Sequence, residues 1–205
     1  EHFDKLTIEN NNLREGIILG LDEETNMFEA KRKYQDRRVY SDGYYLKFPI
    51  KLLDEKSIYG NEKLNNQYFQ ASNLLNKFLR KELLASEVFD IERLAKFLAI
   101  SDLTGANHGL FWDNIRLIYN PINQKLIPLG YDGLGGYKTQ ELANQTGAFV
   151  EAFNDEKLIK AYIAQLERVS SKKFLDDFFE NYDKKLGNEI KLIHRTYPWS
   201  KSLSF

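Results

Sequence analysis

A chain of 205 residues, 42% hydrophobic and 14% aromatic, has the material for one packed core, which excludes disorder throughout. Its 29 Lys and Arg against 30 Asp and Glu leave a net charge of −1, so no basic excess points to nucleic acid as the main partner. The absence of cysteine excludes disulfides, a thiol nucleophile and thiolate-bound zinc or iron–sulfur clusters. Three histidines, at 2, 108 and 194, are too few and too scattered for a multi-His metal site. No apolar run approaches the ~18–20 residues of a membrane helix. The chain opens on Glu1 rather than Met and shows no signal peptide, which reads as a boundary within a longer protein.

Residues 1–12 predict a short helix, with Phe3, Leu6 and Ile8 apolar and an Asn run to end it. Residues 15–22 (EGIILGLD) predict a strand. Residues 23–60 are aperiodic, charged and Tyr-rich, a long excursion with a strand near Tyr44–Ile50. From 62 to 85, Leu64, Tyr68, Ala71, Leu75, Phe78 and Leu79 recur at helical spacing. Asp90 predicts the N-cap of a second helix, with Ile91, Leu94, Ala95 and Leu98 on its buried face and Gly105 past its end.

A polar loop, 105–114 (GANHGLFWDN), follows. Residues 115–119 (IRLIY) and 125–131 (KLIPLGY) predict a β-hairpin across the turn Asn120–Gln124, with Pro121 setting its corner. A Gly-rich stretch runs from Asp132-Gly133 to Gly136. After an aperiodic segment, two helices are expected at about 155–169 and 171–196, with Gly187 a candidate kink and Pro198 a stop. The expected architecture is α+β and mainly helical, one domain over 1–205. Within it, 1–60 forms a strand-and-loop region and 61–205 a helical lobe around the central hairpin.

The residues able to carry chemistry cluster in 105–136. A hairpin brings its outer ends together, so the loop before the first strand neighbours the loop after the second. Asn114 and Asp132 are therefore expected to converge. An amide oxygen with a carboxylate is a hard-oxygen pair suited to Mg²⁺ or Mn²⁺, and such a metal suits nucleotide phosphates. His108 and Asp113, in the same loop, are the candidates for acid–base work. Each has a structural alternative: Asp132-Gly133 suits a turn, Asn114 suits loop bridging, and His108 and Asp113 suit solvated positions.

The stretch SDLTGANHGLFWDNIRLIYNPINQKLIPLGYDG resembles the spore-coat CotH kinase family, in a divergent bacterial branch. So do FLRKELLASEVFDIERLAKFLAI before it and the opening EHFDKLTIENNNLREGIIL. The resemblance covers most of residues 1–136. It implies an atypical protein-kinase fold, here the C-lobe with a partial or missing N-lobe. It also implies transfer of phosphate from ATP to Ser or Thr of a partner protein, with Mg²⁺ or Mn²⁺ on Asn114 and Asp132. A bacterial cell- or spore-surface location comes with it.

Two positions depart from the pattern. The kinase signature places a catalytic Asp five residues before the Asn, where this chain has Gly109 beside His108. Where many relatives carry a Lys after the apolar pair of the first strand, this chain has Gly20. These departures keep open a catalytically dead kinase-like domain that binds a surface partner. A third possibility is a carbohydrate-active hydrolase with Asp113 and Asp132 as paired carboxylates.

Overall fold

The computed structural model describes residues 5–13, 16–22, 49–53, 60–136 and 141–199. Phe3 and most of the strand expected near Tyr44–Ile50 lie outside these residues. The chain divides into two compact units, Glu1–Gln165 and Leu166–Phe205.

The first unit holds helix α1 (Lys5–Asn10), strands β1 (Ile17–Leu21) and β2 (Ile50–Leu52), and helices α2 (Glu62–Leu79), α3 (Ala85–Val88) and α4 (Ile91–Thr104). Strands β3 (Arg116–Asn120) and β4 (Lys125–Leu129) follow, then α5 (Glu156–Val169), whose last turn belongs to the second unit. The four strands make one antiparallel sheet in the order β2-β1-β3-β4. The fold is α+β.

The expected hairpin is present, with Arg116 paired to Leu129 and Asn120 to Lys125. Its turn is held by side chains: Asn120 Oδ1 accepts the Ile122 N–H and Asn123 Oδ1 the Lys125 N–H. Gln124 takes the left-handed conformation at φ 55°. The hairpin is only half the sheet. β1 pairs with β3, Ile18 opposite Ile118, and β2 extends the other edge of β1, Leu52 opposite Leu19. This explains why β1 reads as a continuous apolar run: all five of its residues are buried, as an inner strand covered on both faces requires. Ile18, Ile118 and Ile127 pack with Ile8, Leu13 and Leu129 in one core cluster. The alternate residues Leu117, Tyr119 and Leu126 are buried as well, and the Tyr119 hydroxyl donates to Gln70 Oε1 of α2 at 2.9 Å.

α2 begins at Asn61, whose side chain accepts from the Leu64 N–H, and buries Gln67, Ala71, Leu75 and Phe78 at helical spacing. It ends at Leu79, earlier than the periodicity suggests, because Lys81 turns left-handed at φ 61° and α3 starts a new direction. α4 begins as expected: Asp90 Oδ1 accepts the Arg93 N–H at 3.2 Å. The Asp90 N–H donates to the Leu126 carbonyl at 2.9 Å, so the same cap fastens α4 to β4. Of the apolar residues named in α1, Leu6 is exposed and Ile8 is buried.

The second unit contains α6 (Lys172–Thr196), capped by Ser171, whose side chain accepts the Phe174 N–H at 3.2 Å. The Arg168 guanidinium lies over the Phe174 ring at 5.1 Å. α6 runs through Gly187 without a break, so that glycine lowers helix propensity without ending the helix.

Asp155 links two helix starts in the first unit. Its Oδ2 accepts the Ser86 N–H at 2.7 Å and its Oδ1 the Lys157 N–H at 2.9 Å. Burial alone would raise its carboxyl pKa, but the Ser86 and Lys157 hydrogen bonds and the Lys157 charge outweigh burial and hold the group below its ordinary value. A depressed folded pKa gives stability that is present above the unfolded value, about 4, and lost as pH falls through the folded value. Asp155→Asn sets an amide donor against one of the two N–H groups. It is expected to cost about 1–3 kcal/mol at neutral pH. In urea titrations the gap from the parent protein should narrow as the pH is lowered through the carboxylate range.

Candidate functional site

The site lies where α4 and β4 end. Gly105 takes the left-handed conformation at φ 64° and closes α4. Its N–H donates to the Asp102 carbonyl and the Ala106 N–H to the Ser101 carbonyl at 2.8 Å, a helix stop that glycine favours. The chain then makes a 3-10 turn, Asn107–Leu110, and a further turn into β3. The Gly130–Gly136 stretch leaves β4 beside it. The two loops are in close contact. A Cβ added at Gly109 would stand 2.9 Å from the Tyr131 carbonyl oxygen and 3.2 Å from the Gly133 Cα. Such an approach of two backbones leaves no room for a side chain.

This contact brings His108 and Asp132 together. His108 Nε2 lies 3.5 Å from Asp132 Oδ2, an ion-pair distance when the imidazole is protonated, and both side chains are nearly half exposed. Asp132 itself sits at φ 43° and Leu134 at φ 48°, a region non-glycine residues visit sparingly and Asp more readily than most. Asn114 is buried, and its Nδ2 donates to the His108 carbonyl at 3.0 Å. That bond commits the amide nitrogen and leaves Oδ1 as the atom able to ligate.

Asn114 and Asp132 are thus joined through His108: Asn114 holds its main chain and Asp132 meets its ring. Asp113 takes no part in this chain. Its Oδ1 is buried without a hydrogen-bond partner, and its main-chain carbonyl accepts from Arg116 Nη1 at 2.8 Å. Arg116 also donates to the Ile115 carbonyl at 3.0 Å, and its guanidinium stacks over the Tyr131 ring at 4.5 Å. It therefore ties the turn before β3 to the residue preceding Asp132. A Cβ at Gly20 would lie 3.5 Å from Arg116 Nη1, so an arginine from the neighbouring strand comes up against the position where the resemblance implies a lysine.

Among the described residues no three His, Asp or Glu side chains converge as a metal cage. The donor chemistry nevertheless fits a hard cation: the Asn114 Oδ1 and the Asp132 carboxylate are both hard oxygens. Mg²⁺ is commonly held by one or two carboxylates together with water and substrate phosphates. Beside Asp132 and Gly109 opens a cleft of about 740 Å³, walled by α4, by Asn10–Asn12 and by Gly130–Gly133.

One buried ionisable pair went unmarked in the sequence. Asp102 of α4 accepts the Ala143 N–H at 2.9 Å and the Tyr162 hydroxyl. Its position continues the stripe of Leu94 and Leu98, a polar residue where the period asks for an apolar one.

The geometry defines an α+β protein with a His–Asp pair at the junction of a helix-terminal loop and a hairpin-terminal loop. Set against known proteins, the chain matches no family model, no curated protein and no solved structure.

Proposed function

We propose that this protein is a kinase-like phosphotransferase of CotH type, acting with ATP and Mg²⁺ or Mn²⁺ on Ser or Thr of a partner protein outside the cytoplasm. One observation carries the reading: the loop after α4 and the loop after the hairpin meet, with His108 against Asp132 and Asn114 bonded behind His108. In protein kinases an Asn before a hairpin and an Asp after it hold the metal. In this reading Asn114 and Asp132 are the ligands. The cation neutralises phosphate charge when bound. His108 orients or deprotonates the acceptor hydroxyl, and its 3.5 Å contact with Asp132 holds the imidazole at the metal-side carboxylate. Arg116 positions the Asp132 loop through Tyr131.

Gly109 favours a second reading. The space an acid would need there is filled by the Tyr131 carbonyl, which suits a domain that binds nucleotide or partner without turnover.

Asp132→Asn tests both. Asn tolerates the left-handed backbone as Asp does, so the variant removes charge while keeping the loop. The parent protein with Mg²⁺ and ATP at one hundred times the dissociation constant is expected to gain ~2.7 kcal/mol in a thermal melt. The variant should lose the metal-dependent part of that gain, as should the parent in EDTA. Transfer of labelled γ-phosphate to protein in the parent selects the kinase, and a melt shift without transfer selects the binding domain. No shift in the parent at millimolar ATP rejects the nucleotide reading altogether.

A further inference from the structure

We propose that the cleft beside the site binds a di- or triphosphate group on Arg93 and Lys96 without a metal ion. The proposal is independent of the phosphotransferase reading, because it needs neither a cation nor Asp132.

Arg93 and Lys96 stand one helical turn apart on α4 and both line the 740 Å³ cleft. Positions three apart share a helix face, so the two cations address one volume. Arg93 Nη1 donates to the Asn11 main-chain carbonyl at 3.3 Å; that bond brings the guanidinium to the Asn10–Asn12 wall, and among the described residues its other N–H groups have no hydrogen-bond partner. Lys96 forms no ion pair among the described residues. Among the described lining residues the carboxylate is Asp132, and it faces His108. Among the described lining residues, two cations therefore stand against one carboxylate that is already beside an imidazole.

The rest of the wall suits the same ligand. Gly130 and Gly133 bring main chain to the cleft without side chains, and Gly130 has open space where a Cβ would be. A guanidinium grips phosphate with two parallel bonds, whereas an ammonium acts as a point charge. Placed a turn apart, they match successive phosphates of a chain better than one lone phosphate. Phe97 and Tyr131 in the same wall offer aromatic surface to a base, should the phosphates belong to a nucleotide.

The test is isothermal titration of the whole chain with pyrophosphate, and separately with ADP, both in EDTA. Lys96→Gln removes no hydrogen bond or ion pair among the described residues and is the primary variant; Arg93→Gln/Lys96→Gln is the second. Lys160→Gln, at an exposed lysine of α5, controls for net charge. Pyrophosphate is expected to bind the parent, more weakly as KCl is raised. Lys96→Gln should weaken binding by roughly tenfold, the size of one charged hydrogen bond, and the double variant should abolish it. Lys160→Gln should change nothing, and Asp132→Asn should bind no more weakly than the parent. ADP binding more than tenfold tighter than pyrophosphate identifies a nucleotide as the source of the phosphates; equal affinity identifies free polyphosphate. No pyrophosphate binding at millimolar concentration overturns the proposal, and so does equal weakening by Lys96→Gln and Lys160→Gln. In the parent protein, an ATP melt shift that is no larger with Mg²⁺ than in EDTA, with pyrophosphate binding intact, would reject the metal site alone.

Discussion

Asp102→Ala is expected to destabilise the protein by about 2–6 kcal/mol, because it strands two buried donors at about 1–3 kcal/mol each. Asp102 is 6% exposed. Its Oδ1 accepts the Ala143 N–H and its Oδ2 the Tyr162 hydroxyl, so one carboxylate joins α4 to the turn around Ala143 and to α5. Burial pushes the Asp102 carboxyl up, against the lowering effect of the Tyr162 and Ala143 hydrogen bonds. Burial, then the bond to Asp102 and its charge, push the Tyr162 hydroxyl up as well.

The sign follows for Asp102. A raised folded pKa gives stability that is fully present below the ordinary carboxylate value, about 4, and lost as pH rises through the raised value. Asp102→Asn separates hydrogen bonding from charge. Its amide oxygen accepts from Ala143 and its nitrogen donates to the Tyr162 oxygen, so most of the stability should remain. Relative to the parent, the Asn variant should gain as pH rises from about 4 toward neutrality. Urea denaturation of the parent, Ala and Asn proteins across that range measures this. An Asn variant as damaged as the Ala variant would show that the ionised carboxylate, and not its two hydrogen bonds, holds the three segments.

What the sequence announced was what short segments decide by themselves. Asp90 caps a helix because its side chain reaches an N–H three residues on, and Gly105 stops the same helix because its own backbone turns left-handed. The hairpin follows from two apolar runs around Asn120–Gln124. Pairing between distant segments was hidden. Residues 17–21 read as a strand, but nothing in them names Ile118 as the partner of Ile18, and Leu52 lies beyond a long aperiodic stretch. The end of α2 was hidden too, because Lys81 enters the left-handed region without a glycine to mark it. At the site, the meeting of the loops on either side of the hairpin follows from topology. The route by which Asn114 reaches Asp132 does not, since it passes through the His108 carbonyl and depends on the 3-10 turn that presents it. Asp102 carried a signal, its place on the Leu94–Leu98 stripe, that periodicity alone cannot interpret.

Gly109→Asp, which restores the acid of the kinase signature, is expected to lower stability by about 1–3 kcal/mol and to bring no gain in phosphate transfer. The obstacle is backbone. The new Cβ would meet the Tyr131 carbonyl oxygen at 2.9 Å and the Gly133 Cα at 3.2 Å, and a main chain cannot turn aside as a flexible side chain does. The strand end that must retreat carries Asp132, so the 3.5 Å approach of His108 to Asp132 should open with it. Gly109→Ala meets the same contacts without the charge. The two variants are therefore expected to lose similar stability in thermal melts, and the difference between them isolates the carboxylate. Gly109→Ala melting with the parent would show that the two loops do not press together at this point. Transfer that appears in Gly109→Asp and not in Gly109→Ala would show that the loop yields and that the missing acid alone had limited the chemistry. Loss of stability in both, with no transfer in either, would mark the packing of Gly109 against Tyr131 as incompatible with an acid at that position, and any phosphate chemistry would then fall to His108, the titratable side chain already in contact with Asp132.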